Sequence, residues 1–145
     1  VYKRQELVSD INVASKFSDE FLGANWSDGE SPVTGSTFVG RNQRGDRYWE
    51  TTSYVKTYDP PNIFAWNVGD LDSPSAQWKF EIVAIGDQSR LRHSMVIGPG
   101  IGGTARAMRD NPDDAQSILK RRREQLQRNM DLTIRGIKKE AESRA

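Results

Sequence analysis

The chain contains no cysteine and a single histidine, His93, among 145 residues. The first absence excludes disulfides, thiol nucleophiles and any cysteine-built metal site, and the second argues against a transition-metal centre. No cofactor is therefore expected. No apolar run approaches the roughly 18 residues that a membrane-spanning helix needs, and the first residues lack the apolar stretch of a secretory signal. A cytoplasmic protein without integral membrane association is the expectation. An excess of one charge is missing too. Lys and Arg number 21 against 20 Asp and Glu, for a formal net charge of +1, so no global field steers the chain toward nucleic acid. There is no internal repeat and no low-complexity tract. Asn25-Trp26-Ser27 matches a glycosylation acceptor, a common triplet that no secretion signal supports here.

What is present suits one soluble domain, expected over residues 6–143. Hydrophobic residues make up 35% of the chain and charged residues 28%. Residues 1–5 match what a transposon-derived sequencing adapter encodes in one frame. The expectation is that the natural sequence begins near Glu6, with upstream residues missing; the alternative is a genuine N-terminus.

Residues 6–17 read as short helices, with Asp10 and Asn12 as break and cap. Six strand-like segments follow: 20–28, 34–44, 47–58, 63–68, 76–85 and 91–97. Turn signals separate them at Ser27-Asp28-Gly29, Gly45-Asp46, Pro60-Pro61 and Gly86-Asp87. Six strands joined by short turns predict an antiparallel meander. The periodicity then changes. Asn111-Pro112-Asp113-Asp114 is a helix start, with a capping Asn, a first-turn Pro and acids at the positive end of the dipole. Leu119, Leu126, Met130, Ile134 and Ile137 then recur at helical spacing for about eight turns. One amphipathic stripe of this kind is unstable alone and needs the concave face of the sheet as its partner. The fold class is α+β.

Alternation along the strands assigns faces. Trp78, Phe80 and Ile82 share one face of 76–85. His93 and Met95 share one face of 91–97, and Phe64 and Trp66 one face of 63–68. On 47–58 the row Trp49, Thr51, Ser53, Val55 carries no charge and is expected inside. The interior is thus aromatic with a few small polar groups. Two readings stand: a packed core whose hydroxyls bond to neighbouring backbone, or a ligand pocket, since such pockets are mostly apolar with a few placed polar groups.

Several stretches carry a resemblance. They are Val8-Ser9-Asp10-Ile11 with Lys16-Phe17-Ser18; Gly40-Arg41-Asn42 followed by Arg47-Tyr48-Trp49; Pro60-Pro61 leading to Phe64-Ala65-Trp66; and Met95-Val96-Ile97-Gly98-Pro99-Gly100. With the order of elements, they resemble the helix-grip superfamily. That group includes START lipid-binding domains, plant pollen-allergen-type carriers and bacterial polyketide cyclase/dehydrase-like proteins. These stretches look like its actinobacterial cyclase and lipid-transport-like branch. The resemblance implies a curved antiparallel sheet wrapped around a long C-terminal helix. It also implies a cavity between them for a lipid, polyketide or other hydrophobic small-molecule ligand, and an N-terminal edge strand that this sequence lacks. Only some such proteins are enzymes, so the fold assigns no reaction.

The candidate ligand-binding residues are then Phe38, Trp49, Thr51, Ser53, Phe64 and Trp66, together with Trp78, Phe80, Met95 and Met130. Ile101 and Met108 join them as residues of a mobile loop at the cavity entrance. His93 is the candidate acid or base should the cavity run a cyclase or dehydratase reaction. No acid partner follows from spacing, because Glu50 and Glu81 fall on the opposite face. Gly98-Pro99-Gly100-Ile101-Gly102-Gly103 contains G-x-G-x-x-G spacing. It is not a dinucleotide site, because Pro99 removes a backbone donor and no βαβ unit surrounds it. The basic run Lys120-Arg121-Arg122-Arg123 reads as a solvated helix face, against the alternative of a protein- or membrane-interaction surface.

Overall fold

A computed structural model of the chain describes residues 10–27, 33–60 and 62–143. The strands are β1 (Phe21–Trp26), β2 (Thr37–Arg44), β3 (Arg47–Asp59), β4 (Ile63–Val68), β5 (Ala76–Ile85) and β6 (Gln88–Ile97). Each pairs antiparallel with the next, giving one sheet of order β1-β2-β3-β4-β5-β6. Two of the connections are two-residue hairpins with glycine first. Gly45 and Gly86 hold φ of +62° and +59°, a region where a side chain is disfavoured.

Alternation holds along β3 up to Val55, which is fully buried. A bulge between Val55 and Thr57 then shifts the register, so that Val55 pairs Trp66 and Tyr58 pairs Phe64. Both strand halves therefore keep their large residues on the concave side, which an unbroken period of two would forbid. Tyr58 meets Phe64 edge-on at 5.8 Å.

Of the helices expected over 6–17, residues 6–9 lie outside the described residues. The remainder forms a single 3-10 turn, Val13–Lys16. Asn12 does not cap it. Its Oδ1 accepts the Ala24 N–H of β1 at 2.6 Å, tying this turn to the first strand. The turn expected at Ser27-Asp28-Gly29 and the residue Pro61 likewise fall, apart from Ser27, outside the described residues.

Between β6 and the long helix the sequence reading expected a mobile glycine loop. Two findings correct it. Gly103–Asp110 is a helix, α1, closed by the Asn111 side chain donating to the Ala107 carbonyl. The preceding glycines are pinned: Gly98 and Gly100 N–H groups donate to the Ser75 and Pro74 carbonyls at 3.0 and 2.9 Å. A Cβ on either glycine would lie 2.1 Å from a carbonyl oxygen of Ser73 or Pro74. Glycine is needed here for close backbone approach to the β4–β5 loop.

A 3-10 turn, Pro112–Asp114, leads into α2 (Ala115–Ser143), 29 residues and eight turns long. Its buried residues are Leu126, Thr133, Ile137 and Ala141. Thr133 belongs to this seam although polar, because its hydroxyl donates to the Asn129 carbonyl of the previous turn. The Phe17 ring packs against Gly136, where a Cβ would sit 2.2 Å from it. Two apolar clusters form the core. One joins Val13, Phe80 and Ile82 to Ile137 and Ala141; the other joins Ala24, Phe38, Val55 and Phe64 within the sheet.

Candidate functional site

The concave face of the sheet is a continuous aromatic wall centred on Trp66. Its ring meets Phe38 at 6.0 Å and Phe64 at 5.3 Å edge-on, stacks on Trp78 at 6.4 Å, and tilts against Phe80 at 6.0 Å. The wall follows from register: Phe64 faces Phe80 and Trp66 faces Trp78 across β4–β5, and Phe80 faces His93 across β5–β6. Large rings on neighbouring strands cannot interdigitate with a straight helix laid across them. Among the strands α2 comes closest to β6, and space remains over the others.

That space is a cavity of about 130 Å³, partly open to solvent. Nine of the expected residues line it: Phe38, Thr51, Ser53, Phe64 and Trp66 on one side, with Trp78, Phe80, His93 and Met130. Four do not. Trp49 lies beyond the cavity end, on the same face as Thr51, because alternation fixes a side chain's face but not how far along the strand the hollow extends. Met95, two residues past His93, is likewise outside the lining. Ile101 is 60% exposed on the pinned glycine segment, and Met108 sits on α1 rather than on a gate.

The lining also holds residues that sequence reasoning missed: Glu20, Phe21 and Asn42 from β1, β2 and their approach, and Asn129 and Thr133 from α2. Glu20 is the most informative. It is a buried carboxylate, gripped by Arg122 through Nη1–Oε1 at 2.5 Å and Nη2–Oε2 at 2.9 Å, with Arg44 Nη1 at 3.4 Å. Arg122 thus leaves the basic run: Lys120, Arg121 and Arg123 are exposed, whereas Arg122 turns inward. A fork-to-fork pair compensates two charges that could not stand alone in so dry a place.

His93 is different. Its ring lies between Phe80 at 4.0 Å and Trp78 at 5.2 Å. Both ring nitrogens are out of reach of solvent and have no hydrogen-bond partner among the described residues. Burial without a compensating anion pushes its pKa down to about 4, so the imidazole is neutral at pH 7. The imidazole therefore meets the cavity through its ring carbons, as part of the aromatic wall.

Among the described residues no group of three or more potential His, Cys, Asp or Glu ligands converges on a metal position. Among the described residues no helix is long and apolar enough to cross a membrane.

No protein-family model matches the chain, and no curated protein does. Solved structures do. The polyketide cyclase-like protein of Corynebacterium glutamicum aligns with a TM-score of 0.62 at 24% identity, covering 93% of this chain and 80% of its own. The major latex-like protein 151 of Panax ginseng aligns with a TM-score of 0.53 at 11% identity, covering 88% of this chain and 86% of its own. Likeness at such identities speaks to architecture. With six antiparallel strands curved over one long C-terminal helix, the chain has the helix-grip fold.

Proposed function

We propose that this chain, as a single domain over residues 6–143, binds an apolar or amphipathic small molecule in the cavity between the sheet and α2. One observation carries this reading: a hollow between the sheet and α2 lined by the continuous aromatic wall of Phe38, Phe64, Trp66, Trp78 and Phe80. A void of about 130 Å³ is comparable to an engineered cavity of roughly 150 Å³ that admits a benzene ring. A longer ligand extends through the open side, each buried methylene contributing about 0.8 kcal/mol. Thr51 and Ser53 help orient its polar end.

A cyclase or dehydratase using His93 is the competing reading. A base whose pKa lies near 4 is poorly matched to proton abstraction at neutral pH. That favours binding over catalysis. Native mass spectrometry of freshly purified protein tests the proposal, with a co-purifying small molecule as the expected result. His93→Ala separates the two readings. A binding protein keeps affinity within a modest factor, whereas an enzyme loses turnover and keeps binding. A docking module would instead show a salt-sensitive protein partner and an empty cavity.

A further inference from the structure

Trp49 lies outside the cavity, yet three guanidinium groups converge on it. The Cζ atoms of Arg44 and Arg47 each stand 5.5 Å from its ring centroid, and that of Arg122 stands 5.9 Å away. They arrive from the end of β2, the start of β3 and α2. Three like charges around one ring repel each other unless an anion sits among them. One carboxylate does: Glu20, taken by Arg122 through both oxygens and by Arg44 through one. Gln125 Oε1 also accepts from Arg44 and Arg122, at 3.1 and 3.3 Å, but brings no charge. The Arg47 side chain makes no hydrogen bond or ion pair with the described residues, and neither does that of Asp46 in the turn beside it. The Glu20–Arg122 pair explains how α2 is fastened to the approach to β1. Arg47 meets the same ring because it lies two residues before Trp49 on one face of β3 and pairs Arg44 across the hairpin.

The register places this cluster at one end of the cavity. Trp49 pairs Asn42, and the next inward pair is Thr51 with Gly40. Asn42, Thr51, Gly40 and Glu20 all line the cavity. One inward step along a strand is about 7 Å. None of the three arginines lines the cavity itself, so a molecule seated against Trp66 meets them only by extending past Asn42. The lining's other carboxylate is Asp10, an exposed residue whose Oδ1 accepts the Asn12 N–H at 2.9 Å.

We propose that Arg44, Arg47 and Arg122, gathered on Trp49, form the head-group end of the site and that the ligand is an amphipathic carboxylic acid. A planar guanidinium matches a carboxylate in shape as well as charge. This inference rests on the cavity-binding reading. Its experiment separates the two: calorimetric titration of octanoate and of 1-octanol into the full chain and into Arg47→Gln. Arg47 is exposed and its side chain makes no ion pair with the described residues, so the variant leaves the fold alone. Both probes are expected to bind the parent protein. Arg47→Gln is expected to weaken octanoate by about threefold to tenfold and leave 1-octanol unchanged, and added salt weakens octanoate alone. If octanoate binds the variant as tightly as the parent, the assignment of the head-group end is overturned and cavity binding stands. If neither probe binds the parent, both are overturned.

Discussion

Phe80 and His93 stack nearly parallel, with ring centroids 4.0 Å apart and planes 13° apart, as register partners on β5 and β6. The stack keeps the imidazole in an apolar setting, and its consequences can be measured as stability. The folded-state pKa is about 4 against an ordinary 6.5. Below pH 6.5 the unfolded chain takes up a proton that the folded chain refuses. The contribution is therefore complete above pH 6.5 and is lost as pH falls from 6.5 to 4, up to about 3 kcal/mol. Urea unfolding across that range should show this loss in the parent protein and not in His93→Phe. The variant should also be the more stable of the two at pH 5.

Gly136→Ala should destabilise the protein despite the better helix propensity of alanine. The ring of Phe17 occupies the space a Cβ would take, with Cδ1 at 2.2 Å. Overpacking of this kind costs about 1–3 kcal/mol, against a propensity gain of about 1 kcal/mol. Denaturant midpoints check this. The double variant Phe17→Leu with Gly136→Ala should recover part of the loss.

Gly100→Ala should cost at least about 2 kcal/mol, because the methyl would meet a backbone carbonyl oxygen at 2.1 Å rather than a side chain that can turn away. Gly103→Ala, facing only the flexible end of Arg47, should be close to neutral. Thermal unfolding of the pair distinguishes a pinned segment from a mobile loop, which would tolerate both.

Glu20→Gln should lower stability by about 2–4 kcal/mol, since it leaves Arg122 half-buried and uncompensated. Glu20→Gln combined with Arg122→Met should recover most of that, the two side chains acting as one unit.

Much of this arrangement was legible in the sequence, for identifiable reasons. The segments 63–68 and 76–85 coincide with β4 and β5 because alternating aromatic and β-branched residues end at unmistakable turns. The long helix was announced by its apolar spacing and by Asn111-Pro112, although Asn111 closes α1 instead of capping α2. The aromatic wall followed from strand faces. Helix α1 was hidden because Gly102-Gly103 reads as loop and the segment is too short to show a stripe. Glu20 was hidden because a carboxylate is assigned outward unless its partner is known, and Arg122 lies 102 residues away. Trp49, Met95, Ile101 and Met108 were placed in the site by face and by loop position, while the extent of the hollow depends on the curvature of the sheet and the stand-off of α2.

The three methionines allow the central claim to be tested directly. Met130 lines the cavity, and Met95 and Met108 do not. Titration of 1-octanol into protein carrying 13C-labelled methionine methyl groups should move the Met130 resonance while leaving the other two in place. An unmoved Met130, or shifts at Met95 or Met108 in its stead, would contradict a ligand site between the sheet and α2.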